Sequence, residues 1–95
     1  MSPESTKTLP RAALVEALVA ARERAQLTQR EVIDRLPAWL GISQPDLAKI
    51  ETGRRSVSYV EVRELCAVTG TTVARLDRRV SALIAAHRPA PRRKK

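Results

Sequence analysis

The sequence between residues 28 and 61 repeats one start signal for short helices. A hydroxyl residue precedes an acidic residue by three positions at Thr28–Glu31, Ser43–Asp46 and Ser58–Glu61. At that spacing the hydroxyl oxygen caps a helix by accepting from the third backbone N–H, and the carboxylate favours the same helix end. A chain with starts at such short intervals is predicted to form several short helices.

Apolar residues at intervals of three and four support the same interpretation. Leu14, Leu18, Ala21 and Ala25 form one stripe, and Pro10 is placed to open that first helix, which is predicted over about residues 10–25. No alternating strand pattern occurs, so we predict an all-α fold of five helices. The later helices are predicted to end near Leu36, Gly53, Gly70 and His87, and the fifth to begin at Thr72.

Two short capped helices joined through Gly41-Ile42-Ser43-Gln44 and followed by Gly53-Arg54-Arg55 form a more specific pattern. It resembles the lambda-repressor/Cro-like helix-turn-helix family, also called the xenobiotic-response-element type, over about residues 14–76. The resemblance implies a five-helix lambda-repressor-like DNA-binding domain, here with an extended last helix. It also implies double-stranded DNA as the partner.

The resemblance assigns roles to individual residues. The start of the third helix would contact bases, the start of the second helix a phosphate, and an ion pair would join the first helix to the third. The matching residues are Ser43, Gln44, Pro45 and Lys49 for the bases, Gln29 for the phosphate, and Arg22 with Glu51 for the pair.

The spacing within the third helix agrees with these roles. Leu47 and Ile50 are expected to face the core, which places Gln44 and Lys49 on the opposite, solvated face. A glutamine can bond adenine bidentately, and a lysine can reach guanine or a phosphate. Arg54-Arg55 follows the helix, where it would clamp the DNA backbone. Plain solvation is the alternative for each of these polar side chains.

The chain also departs from the family pattern, because residues 37–40 lengthen the turn before the third helix by about four positions. Trp39 and Leu40 are apolar, so we expect both to pack under the turn. The insertion would tilt the third helix. Pro45 offers no backbone donor, and Asp46 brings a negative charge near phosphates unless it accepts from cytosine N4.

The charge is concentrated at the end of the chain. The 95 residues carry a formal charge of +8, and residues 88–95 hold five of the 18 basic side chains with no acidic one. We therefore divide the chain into a flexible arm (1–9), a helix-turn-helix domain (10–87) and a basic disordered tail (88–95). The tail is predicted to contact phosphates, or else only to improve solubility.

Other functional classes lack the residues that they need. Trp39 and Tyr59 are the only aromatic residues, which disfavours base-stacking RNA modules. A single cysteine, Cys66, and a single histidine, His87, supply neither a metal cluster nor a nucleophile–base pair, so we expect no enzyme activity, cofactor or metal. No signal peptide or membrane span is evident, which indicates a cytoplasmic, nucleoid-associated protein.

The last helix is predicted to extend beyond what the core needs. Val80, Leu83 and Ile84 continue its apolar stripe and would be unfavourable in water together. We expect them to form a homodimer interface, with packing against the first helix as the alternative.

Together these features predict a sequence-specific, double-stranded-DNA-binding transcriptional regulator of the repressor type. Two other hypotheses stay open at this point. One is a DNA-binding antitoxin that acts mainly by capturing a toxin, and the other is a helical protein-interaction adaptor without nucleic-acid function.

Overall fold

A computed structural model of the chain describes the backbone of residues 3–86 and the side chains of residues 10–86. The described backbone forms five α-helices and no strand, which confirms the predicted all-α, five-helix fold. One 3-10 turn, Ala38–Leu40, lies between the second and third helices. The helices are α1 (Pro3–Arg24), α2 (Gln29–Arg35), α3 (Gln44–Glu51), α4 (Tyr59–Thr69) and α5 (Val73–Ala86).

The three capping signals start helices as predicted. The Thr28 hydroxyl accepts from the Glu31 N–H at 3.1 Å, and the Glu31 carboxylate accepts from the Thr28 N–H at 2.8 Å. The Ser58–Glu61 pair repeats this exchange at the start of α4. Each box satisfies two backbone donors that would otherwise lack a partner in the first turn.

Helix α1 begins seven residues before the predicted start. Pro3 occupies its first position, which suits a residue without an N–H, while Pro10 lies within the helix. The sequence analysis assigned to Pro10 the role that Pro3 has. The boundaries at residues 9 and 87 stay predictions, and His87 and the basic tail lie outside the described residues.

All five helices contribute buried side chains to one core. Val32, Leu47, Ile50 and Cys66 are its most deeply buried large side chains, each at most 2% exposed. Each fully buried aliphatic side chain stabilises the fold by roughly 1.5–3 kcal/mol. The core therefore holds the short helices α2 and α3 in place, since neither is long enough to be stable alone.

The expectation that Trp39 packs under the turn is wrong. Its side chain is 69% exposed, whereas Leu40 is half-buried and packs against the core. Successive residues of a 3-10 turn project about a third of a turn apart, so neighbouring residues cannot both point inward. Leu36 and Ile42, on either side of the turn in sequence, are also part of the apolar packing.

Helix α5 lies along α1. Val80 and Leu83, although only half-buried, pack against the core cluster of the same chain. This packing corresponds to the alternative considered for the end of the last helix. Ile84 is half-buried beside them and is not among the side chains that pack on the cluster.

Candidate nucleic-acid interface

Helix α3 presents one apolar face and one solvated face. Leu47 and Ile50 are 2% and 1% exposed and anchor the helix in the core. Gln44, Pro45 and Lys49 are exposed, so three of the four residues expected to contact bases lie on the same helix and reach solvent. A helix with this division of faces can enter a major groove, which is about 12 Å wide, without exposing its apolar side chains.

Ser43, the fourth of these residues, caps α3. Its hydroxyl oxygen accepts from the Asp46 N–H at 3.3 Å, and the Asp46 carboxylate accepts from the Ser43 N–H at 3.0 Å. These bonds to Ser43 are the main reason that the pKa of Asp46 is lowered. The hydroxyl proton of Ser43 is not used by the cap and is available to donate.

Three elements meet at the carboxylate of Glu51. Arg22 of α1 donates to it through Nε (2.8 Å) and Nη2 (2.9 Å), and Gln29 of α2 donates through Nε2 (2.9 Å). Arg22 also donates through Nη1 to the Leu27 carbonyl at 2.9 Å. The hydrogen bond to Glu51 is the main cause that raises the pKa of Arg22. This network fixes the end of α3 relative to α1 and α2.

The same network determines what Gln29 can offer a phosphate. One amide N–H of Gln29 is engaged by Glu51, and a glutamine amide carries two. The second hydrogen can donate outward while the first holds the side chain in one orientation. The half-buried position of Gln29 is consistent with a side chain that is fixed in advance rather than one that moves freely.

The two arginines after α3 have different surroundings. Arg54 is exposed, whereas Arg55 donates to both oxygens of Glu61, at 3.2 and 3.0 Å, and to the Ser56 carbonyl at 3.1 Å. The bond between the two side chains raises the pKa of Arg55 and lowers the pKa of Glu61. Arg55 therefore braces the α3–α4 loop against the start of α4.

Sequence reasoning identified Glu61 only as a capping residue and missed its ion pair. A separation of six residues across a loop follows no periodic rule, so no sequence signal could have found it. Arg11 provides a second brace that was missed, because its Nη1 donates to the Gly53 carbonyl at 3.4 Å. The loop after α3 is thus held by α1 on one side and α4 on the other.

Three further observations concern the described residues as a whole. These residues contain no group of three or more His, Cys, Asp or Glu side chains placed to hold a metal ion. Cys66 is buried, and its burial raises the pKa of the thiol. Within residues 3–86, no helix has the length and apolar character needed to cross a membrane.

Comparison with known proteins gives one match. The model of a family described as a helix-turn-helix domain matches residues 13–78, which cover α2, α3 and α4 completely and α1 and α5 in part. No curated protein and no solved structure matches the chain.

Proposed function

Because the chain belongs to the helix-turn-helix domain family, we propose that it is a sequence-specific transcriptional regulator of the repressor type that reads the DNA major groove with α3. The observation that carries the proposal is the exposure of Gln44 and Lys49 on a helix whose other face is anchored by Leu47 and Ile50. Glu51 also supports the proposal. Its carboxylate is bonded by Arg22 and Gln29 and lies at the last residue of α3, so it presents no free negative charge beside Gln44.

Each exposed residue at the start of α3 has a distinct proposed contact. Gln44 bonds the N6 and N7 edge of an adenine, and Lys49 reaches a guanine or a phosphate. Ser43 donates its free hydroxyl proton to a base. Pro45 makes an apolar contact with a thymine methyl group, which requires no donor.

The proposed contacts to the DNA backbone come from the elements on either side of α3. Gln29 donates its second amide hydrogen to one phosphate, and the exposed Arg54 contacts another. Arg55 supports the backbone contacts mainly by holding the loop that also carries Arg54, since its guanidinium already bonds Glu61. Its charge adds to the phosphate contact.

We also propose that the protein acts as a homodimer on two half-sites, about 34–36 Å apart on one face of the duplex. The exposed side of α5 near Ile84, next to Val80 and Leu83, is the proposed contact. Because Val80 and Leu83 also pack within the chain, the dimer interface would extend apolar packing that is already present in each subunit.

Selection of bound sequences from random duplex DNA tests the proposal. The wild type should enrich one motif, and Gln44→Ala should lose preference at one base pair, with a cost of about 1–3 kcal/mol at that position. Ser81→Ala, an exposed substitution on α5, is the matched control and should keep the full motif. A wild type that enriches no motif would contradict sequence-specific binding.

A further inference from the structure

A cavity of about 270 Å³ lies where the end of α1 meets the α4–α5 turn and the first turns of α5. None of its lining residues belongs to α2 or α3, so it is separate from the proposed base-reading surface. Its polar lining consists of three arginines, Arg24, Arg75 and Arg79, with Thr69 and Thr71. These residues lie in α1, α4, the α4–α5 turn and α5, and the sequence gives no sign that they meet.

The cavity has an uncompensated positive charge. Its lining includes no acidic side chain. The ion pairs found among residues 10–86 engage Arg22, Arg30 and Arg55 and leave the three arginines of the cavity out. Two of those three, Arg75 and Arg79, are four positions apart on one face of α5, where like charges repel. A ligand that relieves this repulsion must be an anion.

The backbone around the cavity is held by the fold before any ligand arrives, while the side chains of Arg24, Arg75 and Arg79 are exposed. The Thr71 N–H donates to the Cys66 carbonyl at 2.9 Å, and Gly70 has the left-handed conformation (φ +76°) that this turn requires. The Thr72 hydroxyl accepts from the Arg75 N–H at 3.1 Å, which fixes the first turn of α5. A fixed backbone leaves only the arginine side chains to be ordered on binding, which limits the entropy cost.

We propose that this cavity binds the phosphate groups of a multiply charged anion, with Arg24, Arg75 and Arg79 as its ligands. The planar guanidinium group matches the oxygens of a phosphate in a bidentate geometry that carboxylates share but halides do not. Three guanidinium groups around one space favour a diphosphate over a single monovalent anion. The phosphate comes either from a free phosphorylated molecule or from the backbone of bound DNA.

Titration calorimetry of the full chain with inorganic pyrophosphate tests the site itself. The double variant Arg75→Gln/Arg79→Gln should lose at least about tenfold in affinity, which corresponds to about 1.4 kcal/mol. The double variant Arg63→Gln/Arg78→Gln removes the same charge from exposed arginines of α4 and α5 that do not line the cavity. It should lose much less.

Equal losses in the two double variants, or no binding by the wild type, would overturn the proposal, because the effect would then be diffuse charge alone. If the glutamine variant does not fold, Arg75→Lys/Arg79→Lys replaces it. That variant keeps the charge and removes the bidentate geometry, so it should still bind pyrophosphate more weakly than the wild type.

The salt dependence of DNA binding identifies the source of the phosphate. Each backbone phosphate neutralised adds about 0.9 to the slope of log K against log salt. A slope reduced by about that amount in Arg75→Gln/Arg79→Gln, beyond the change in Arg63→Gln/Arg78→Gln, indicates the DNA backbone. Equal slopes together with lost pyrophosphate binding indicate a free ligand. If the protein binds pyrophosphate but enriches no sequence motif from random duplex DNA, the proposed function is contradicted and the proposed phosphate site is not.

Discussion

Arg22 and Glu51 are joined by two parallel hydrogen bonds, Nε to Oε2 at 2.8 Å and Nη2 to Oε1 at 2.9 Å, across 29 positions of sequence. The side chains are 17% and 7% exposed. Because Gln29 donates to the same carboxylate, the pair also fixes α2. The orientation of α3 relative to both neighbouring helices therefore depends on one carboxylate.

Replacing that carboxylate should destabilise the fold strongly. We expect Glu51→Gln to lower the free energy of unfolding by about 3 kcal/mol, because Arg22 would be left charged and largely buried without its partner. Asp34→Asn provides the control. It breaks the 3.6 Å pair with Arg30, whose side chains are 73% and 65% exposed, and should cost at most about 0.5 kcal/mol. Urea denaturation measures both, and equal effects would contradict a structural role for Glu51.

Because Trp39 is exposed, we expect its removal to have little effect on stability, whereas removal of a packed indole would have a large effect. Trp39→Ala should change the free energy of unfolding by no more than about 0.5 kcal/mol, as at other surface positions. A buried tryptophan would instead cost about 3–5 kcal/mol. Leu40→Ala, next in the sequence and half-buried against the core, should cost about 1–2 kcal/mol and is the comparison. Thermal denaturation followed by helix ellipticity distinguishes the two positions.

The pair of Arg55 with Glu61 should make stability depend on acid. The hydrogen bond from Arg55 is the main reason that the pKa of Glu61 lies below 4.5, so the folded state favours the carboxylate. This contribution to stability is present above the unfolded-state pKa and is lost as the pH falls through the lower folded-state pKa. Arg55→Gln should therefore flatten the loss of stability below pH 4.5.

The neighbouring arginine supplies the control for that experiment. Arg54→Gln removes the same charge from an exposed side chain and should leave the acid-dependent fall parallel to that of the wild type. Denaturation midpoints measured across the acid range test both variants. An Arg55→Gln profile that runs parallel to the wild type would show that the pair does not contribute through Glu61.

The proposed dimer is best tested at Ile84. Glutamates at Val80 and Leu83 would also disturb packing within the chain, whereas Ile84 is not among the side chains that pack on the core cluster. We expect Ile84→Glu to convert a sedimenting dimer into a folded monomer and to weaken binding to a DNA with two half-sites. Ala82→Glu, an exposed position on the same helix, should remain dimeric. A monomeric wild type at high concentration would remove the dimer from the proposal.

Residues close together in sequence determined the helices. Thr28, Ser43 and Ser58 start helices because a cap needs only its own first turn, and Leu47 and Ile50 face inward because helical spacing repeats locally. The exposure of Lys49 follows from the same spacing, whereas Gln44, three positions before Leu47, is exposed as the first residue of α3. These features could be predicted because the interactions that produce them span three or four residues.

Contacts between elements were decided only by the tertiary structure. The partner of Arg55, the outward position of Trp39 and the clustering of Arg24 with Arg75 and Arg79 depend on how helices distant in sequence are placed. The pairing of Arg22 with Glu51 was expected from the family resemblance and from the placement of the two residues at helix ends. The charge and apolarity of a side chain indicate which kind of environment or partner it favours. Packing of the core decides which groups lie close enough to contact it. For that reason the sequence alone predicts the helices and the exposed face of α3, while the braces around that helix and the arginine-lined cavity emerge only from the fold.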